Sequence, residues 1–486
     1  MYIYKNFLRS FIKNKKKVFV NFEDKKYTYD FVFQKILILE NNFFNSKNLK
    51  SIGILSHNKI DHIILYLFCS KNNLMFIPFD PDVATDDLIK QIKISDCRDL
   101  FCDSESKKKL VKYKKLKINF YNSIEYKVLK TNNLKKFKII KNNFFLLCFT
   151  SGSTGSPKPI AISQKTKYLR AQSNIKLYNL YKSRRSLITT PFHHTLALRI
   201  LTMSILIGSE IFIIENYFTS KLVSIIKKKK INFTLFVSNQ INSILLNSKN
   251  FKKLNSLKAL ISSSSNLSLE NKKRIIKDFN GKIFECYGLS EAAIVSNLDL
   301  KKNQKFLDSV GKSIEGVTIK IYNKDKNGVG EISVKSKYIF SEYFKKKQYT
   351  KSQFKGKYFL TGDLGYLKNN FLYLVGRKKN MIKIKGISVY GEDIEKKIKK
   401  SKLIKDCLIV GLKVKNDEEN ICLIYSNKKN QNIDDKLKKY SLDNLSSFQI
   451  PRHYIKLNDI PKNKMGKLDK LKINKILGKY VDNIEK

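Results

Sequence analysis

Residues Phe149 to Ile160 read FTSGSTGSPKPI, and they follow an apolar run, Phe144 to Phe149 (FFLLCF), with the length and composition of a buried strand. The chain leaves that strand into hydroxyls and glycines: Thr150, Ser151, Gly152, Ser153, Thr154, Gly155 and Ser156, then Pro157 and Lys158. Glycines let backbone N–H groups approach an anion closely, hydroxyls add donors, and one lysine adds a point charge. In physical terms this is a polyphosphate cradle; a solvated Ser/Gly turn is the plain alternative. Two rival motifs fail on spacing. A Walker loop needs G-x-x-x-x-G-K-[ST], whereas only Ser153 and Thr154 separate these glycines and Pro157 precedes the lysine. A nucleophile elbow needs G-x-S-x-G, and Gly152 is followed directly by Ser153.

Outward from the loop, short apolar strands alternate with amphipathic helices. Val18 to Phe22 reads as a strand, and Tyr27-Thr28-Tyr29-Asp30 opens a helix with apolar spacing through Phe33, Ile36 and Leu37. The pattern repeats at Ile52 to Leu55, Asp61 to Cys69 and Leu74 to Phe79. Such alternation predicts an α/β fold, layered around a largely parallel sheet. Ligands of such sheets bind at the carboxyl ends of strands, where the opening loop falls. Lys107 to Lys141 is lysine-rich and weakly periodic, and reads as a surface excursion.

Length and composition bound the rest. At 486 residues with 42% hydrophobic side chains, the chain predicts two or three folded domains. The formal charge of +55 comes mostly from lysine spread end to end, without arginine clustered among stacking aromatics, so no specific nucleic-acid partner is expected. Seven cysteines lie scattered without C-x-x-C or zinc spacing, which reads as buried reduced thiols and a cytoplasmic location. The N-terminal MYIYKNFLRSFIKNKKK lacks a secretory h-region. The longest apolar segment, Leu196 to Ile214, is interrupted by Arg199 and Gly208-Ser209-Glu210, so no membrane span is expected.

The loop at 149–160 resembles, almost letter for letter, the signature loop of the AMP-forming acyl-adenylate superfamily, which contains acyl- and aryl-CoA ligases, peptide-synthetase adenylation domains and luciferases. Further blocks follow in the family's order. Thr189 to Leu198 (TTPFHHTLAL) is similar to the P-x-F-H stretch of acyl- and aryl-CoA ligases, implying His194 on the wall of the acyl pocket. On residue type alone a hydrogen-bonded structural histidine is the plain reading. Amino-acid-activating members carry an Asp here; this block has none, which disfavours an α-amino acid. In Ile283 to Ile294 (IFECYGLSEAAI), Tyr287 offers a flat face for a purine, Gly288 permits close backbone approach, and Glu291 is a hard anionic oxygen suited to magnesium. The resemblance implies that Tyr287 stacks on adenine and that Glu291 with Thr154 positions the magnesium.

Gly330 to Val334 (GEISV) resembles the block opening the last subdomain of the large domain; Leu360 to Leu364 (LTGDL) alone reads as a common tight turn, in which a carboxylate can accept two hydroxyls, and the resemblance implies Asp363 as the ribose-diol acceptor. Gly376 to Gly386 (GRKKNMIKIKG) implies that Arg377 reaches the nucleotide, that Lys379 is the hinge, and that Lys385 and Gly386 lie near the thiol route. Gly466-Lys467, within PKNKMGKLDK, matches the G-K block and implies Lys467 as the catalytic lysine. Two departures stand out: Ser263 and Ser264 replace a Gly-Gly turn, and Gly391 in VYGEDIE replaces a proline.

The resemblance implies a large N-terminal layered α/β domain with a small β subdomain over 1–379, and a small mobile C-terminal α+β lid over 380–486. It implies an AMP-forming acid–thiol ligase using ATP, Mg2+ and CoA on a small carboxylic acid. A relative loading a phosphopantetheinyl carrier protein, or a non-catalytic basic protein that keeps the fold, are the alternatives.

Overall fold

The strand expected before the cradle forms as Leu146–Thr150, in a computed structural model that describes residues 2–22, 24–43, 49–57, 59–111, 118–122, 143–150, 157–214, 218–247, 251, 253–263, 267–384, 387–413, 419–427, 432–462 and 468–484. It lies inside a seven-stranded sheet ordered Glu342–Tyr343, Lys158–Ile162, Leu146–Thr150, Met75–Pro78, Ser51–Leu55, Asp99–Cys102, Asn119–Asn122. From Leu146–Thr150 to Asn119–Asn122 every pairing is parallel, and the two beyond it are antiparallel. The residues explain the burial. Phe76, Ile77, Leu100 and Leu147 are fully or almost fully buried, and each such side chain contributes about 1.5–3 kcal/mol. Helix Lys59–Lys71 is buried along nearly its whole length, so the sheet it accompanies is wrapped rather than solvated.

A second sheet runs Leu235–Val237, Ala259–Ser263, Lys282–Leu289, Ala293–Asp299, with two parallel pairings and a final antiparallel one. A third joins Lys25–Thr28, Val18–Phe22, Glu210–Ile213 and Arg185–Ile188. Here the expected helix start shifts. Tyr27 and Thr28 pair with Val20 and Val18 as a hairpin strand, and the helix begins at Tyr29. The supposed excursion over 107–141 also differs. Its described parts are the end of helix Ser104–Val111 and the strand Asn119–Asn122, which adds to the sheet edge.

Two compact units emerge: residues 1–307, 314–317 and 335–357 form one, and 308–313, 318–334 and 358–486 the other. The second unit combines helices with strands. Strands Gly330–Ser336, Tyr358–Lys368 and Phe371–Arg377 pair antiparallel. A hairpin Met381–Ile384/Ile387–Tyr390, helix Gly391–Lys399 and a sheet of Asp406–Leu412, Asn420–Ser426 and His453–Lys456 follow. Ile394, Ile398, Leu423 and Tyr425 centre one apolar cluster there, and Ile424 and Ile473 another. All seven cysteines are free and buried. Among the described residues no helix is long and apolar enough to cross a membrane.

Candidate nucleotide site

Thr150 ends its strand opposite Lys158, so the strands that flank the cradle, Leu146–Thr150 and Lys158–Ile162, form an antiparallel pair. Ser151, Gly152, Ser153, Thr154, Gly155 and Ser156 themselves lie outside the described residues. Lys158 is held on two rings. Its Nζ donates to the Tyr349 hydroxyl at 2.8 Å and stands 5.5 Å and 5.3 Å from the ring centres of Tyr343 and Tyr349. Cation–π contacts of this kind fix a lysine's direction without neutralising it.

Tyr343 does a second thing. Its strand pairs with Lys158–Ile162, Tyr343 opposite Ile160, and its hydroxyl donates to Glu291 Oε1 at 2.9 Å. Burial, reinforced by the Glu291 carboxylate, raises the Tyr343 phenol so that it stays protonated and remains a donor. Glu291 Oε2 has no partner among the described residues. It offers one free, partly exposed hard oxygen, which suits a magnesium ion that takes few protein ligands and completes its shell with water and phosphate. Among the described residues no group of three or more His, Cys, Asp or Glu side chains could hold a metal ion by itself.

The backbone around Glu291 is pinned by Arg170, on helix Gln164–Tyr178. Its Nε donates to Tyr338 O at 2.8 Å, Nη1 to Ser290 O at 3.0 Å and Nη2 to Glu291 O at 2.8 Å. Burial, and then neighbouring Arg199, lowers the Arg170 guanidinium to about 9. Phe340 N also donates to Glu291 O, at 2.6 Å. The strand feeding this turn bulges between Tyr287 and Gly288. A Cβ on Gly288 would sit 2.1 Å from Ala293 O, so only glycine fits there. Tyr287 is largely buried beside it.

The second unit carries the other expected nucleotide contacts. Asp363 lies in strand Tyr358–Lys368, not in a tight turn; a left-handed Gly362 (φ 73°) and a register shift after Leu364 supply the local irregularity. Asp363 is directly opposite Arg377, and Arg377 Nε meets Asp363 Oδ1 at 2.8 Å. Glu331 supports both: Oε1 accepts from Gly362 N at 3.1 Å and Oε2 pairs with Lys378 Nζ at 2.7 Å. Lys379 lies exposed in a short 3-10 turn, Lys378–Asn380, where Glu392 Oε1 accepts from Asn380 Nδ2 at 3.2 Å.

In the first unit His194 is the N-cap of helix Thr195–Ile207, and its ring lies 4.2 Å from that of His193, which pairs with Asp80 at 3.5 Å. Leu196 and Ala197 are buried. Ser263 ends a buried strand, whereas Ser264, Lys385, Gly386 and Lys467 lie outside the described residues. The structure therefore joins Lys158 to Glu291 through Tyr343, and Asp363 to Arg377. Sequence reading missed Tyr343, Arg170, Glu331 and Asp80. One signal pointed at Arg170: the chain has nine arginines among its 96 basic residues, and a planar fork is needed where three acceptors converge.

A family model described as AMP-binding enzyme matches residues 8–344. A Staphylococcus epidermidis protein that carries a long chain fatty acid-CoA ligase name, VraA, is 25% identical over 450 residues, 92% of each chain. The 2-succinylbenzoate–CoA ligase of Oceanobacillus iheyensis is 24% identical over 430 residues, 86% of this chain and 87% of its own. Among solved structures, o-succinylbenzoate CoA synthetase (MenE) from Bacillus subtilis, in complex with the acyl-adenylate intermediate OSB-AMP, superposes with a TM-score of 0.82 at 20% identity, covering 96% of this chain and 97% of that one.

Proposed function

The chain belongs to the AMP-binding enzyme family, and from that premise we propose that it is an ATP-dependent, AMP-forming acid–thiol ligase that activates a carboxylic acid as acyl-AMP and passes the acyl group to CoA. The names of its relatives, both CoA ligases, support the choice of acceptor. The observation that carries the reading is Tyr343, which ties a lysine at the base of the phosphate loop to a carboxylate with a free oxygen.

A carboxylate is a poor electrophile because its charge repels nucleophiles. In the first half-reaction its oxygen attacks the α-phosphorus of ATP and pyrophosphate leaves. In the second a thiolate attacks the mixed anhydride and AMP leaves. The protein's contribution is to hold anions together and stabilise charge developing at phosphorus. Thr150, the loop 151–156 and Lys158 cradle the β- and γ-phosphates. Glu291 and Thr154 would hold magnesium, which would supply neutralisation of phosphate charge. Tyr287 stacks on adenine, Gly288 lets the backbone approach the nucleotide, and Asp363 accepts the ribose hydroxyls while Arg377 reaches the nucleotide. Lys467 bridges the acid and the nucleotide, and His194 lines the acyl pocket. A hinge at Lys379, between 1–379 and 380–486, exchanges the two half-reactions, and Lys385 and Gly386 border the thiol route. Seven buried free thiols favour the cytoplasm as its location.

The test is acid-dependent exchange of labelled pyrophosphate into ATP, across a library of carboxylic acids. The expected result is exchange with a subset of acids and AMP release once CoA is added. A preference for a phosphopantetheinylated carrier over CoA would replace the acceptor. Failure of every acid to yield AMP would overturn the reading.

A further inference from the structure

Beneath the turn that carries Glu291 lies a cavity of about 20 Å3, lined by Lys167 and Arg170 from one helix, Arg199, Thr195 and Thr202 from another, and Ser290. Three basic side chains meet there, and burial, with Arg170 and Arg199 beside it, lowers the Lys167 ammonium to about 7. Lys167 and Arg170 are more than nine-tenths buried. Among the described residues none of the three forms an ion pair. Arg170 spends its fork on three carbonyls, but Arg199 Nη1 is buried with no hydrogen-bond partner. The nearby Cys148 thiol is pushed up to about 12 by burial, so it is neutral and offers no counter-charge.

The Glu291 carboxylate acts on Arg170, but no acid acts on Lys167; buried charges without a counter-ion are costly, and like charges brought together need something to offset them. A volume of this size holds about one water-sized particle. A carboxylate or phosphate does not fit; water fits, but does nothing for the net charge. We propose that this cavity is a binding site for one small monatomic anion of the halide class, held by Lys167, Arg199 and the hydroxyls of Thr195 and Ser290. The ion compensates the cluster and thereby steadies the helix from which Arg170 grips Ser290 and Glu291.

Two measurements on the full chain test it. Crystals grown in sodium bromide should show an anomalous peak between Lys167 and Arg199. In solution, exchanging sodium gluconate for sodium chloride or bromide at constant ionic strength should raise the melting temperature by about 2–5 °C, as a ligand that binds only the folded state does. Lys167→Met and Arg199→Gln should each abolish that dependence, and Lys167→Met should melt above the wild type in gluconate because a buried charge has been removed. A wild-type melt indifferent to halide overturns the proposal, as does an empty cavity in the bromide crystal. A halide response that persists undiminished in both variants also overturns it, because the ion would then sit elsewhere. A lysine that sheds its proton instead would give pH dependence in gluconate without any halide effect, and that result too would overturn the halide site.

Discussion

Replacing Arg170 with methionine should damage magnesium use far more than stability. The guanidinium makes three hydrogen bonds, to Tyr338 O, Ser290 O and Glu291 O. Bonds from a charged donor contribute about 1.5–3 kcal/mol each. Against them stands the cost of keeping the charge in the interior. The fall from 12.5 to about 9, at about 1.36 kcal/mol per pH unit, sets that cost near 5 kcal/mol at neutral pH. The two nearly offset, so Arg170→Met should lose only about 0–4 kcal/mol in a urea titration. Position is another matter. Without the fork, Phe340 N is the one donor to Glu291 O that remains among the described residues. Residues that orient a metal-binding group typically alter metal affinity about 10–100-fold. The half-saturating magnesium concentration in pyrophosphate exchange should rise by that factor, and Arg170→Lys, which cannot span three carbonyls, should rescue little. A variant that folds and keeps the wild-type magnesium titration would refute the assigned role.

Lys467→Ala should lower acid adenylation by about 10²–10³ while sparing thiolation from supplied acyl-AMP, and Lys379→Pro should do the reverse; equal loss in both half-reactions counts against the assignments. Lys272 and Glu285 form an ion pair almost wholly excluded from solvent, so Lys272→Met should cost about 3–5 kcal/mol in denaturant, and adding Glu285→Leu should recover most of it; additive losses would argue against pairing. Burial raises the Glu395 carboxyl from 4.5 to about 7, even though Ile409 N donates to it. A folded-state value above the unfolded one means that the folded state binds the extra proton, so this contribution is complete below about pH 4.5 and lost as pH climbs to about 7. The stability curve should therefore fall across that window by roughly 3–4 kcal/mol, and Glu395→Gln should flatten it, as urea melts at several pH values would reveal.

How much of this was legible in the sequence depends on how local each cause is. The FFLLCF run became the strand Leu146–Thr150 because four to six apolar residues before a glycine turn have few other uses. Gly288 was readable as a point of close approach, and the carbonyl that demands it belongs to Ala293, only five residues on. The helix start at Tyr29 was misread because Tyr27 and Thr28 fit either a helix opening or a strand. The decision came from hairpin pairing to Val18 and Val20, with Asp24 in the left-handed region of the turn. The Thr-Gly-Asp stretch looked like a turn by composition, yet it is an irregularity within an antiparallel strand: Leu360 and Leu364 pair with Ser333 and Glu331 on one side, Asp363 pairs with Arg377 on the other, and Glu331 accepts from the N–H of the left-handed Gly362. Gly391, in the place of a proline, opens helix Gly391–Lys399, and its α-carbon packs so near Ile409 that an added Cβ would lie 3.1 Å from the Ile409 carbonyl oxygen. That contact spans eighteen residues and leaves no local trace.

Tyr343 shows why the most informative contact was silent. The segment around it stitches the Glu291 turn to the phosphate-loop hairpin chiefly through backbone groups. Tyr338 O takes Arg170, Phe340 N donates to Glu291 O, Ser341 N to Ala161 O, and Phe344 N to Pro159 O. Main-chain bonds of this sort place few demands on side-chain identity, so FSEYF carries no motif. They do fix the separation between the base of the loop and the carboxylate, because the stitching strand is hydrogen-bonded at both ends. Only the phenol then depends on residue type: Tyr343→Phe would leave the stitching intact, release Glu291 Oε1, and remove the one side-chain bond, among the described residues, that restrains the carboxylate about its own rotors. The spacing between phosphate loop and Glu291 is thus a property of the backbone, and the aim of the carboxylate within that spacing a property of one hydroxyl.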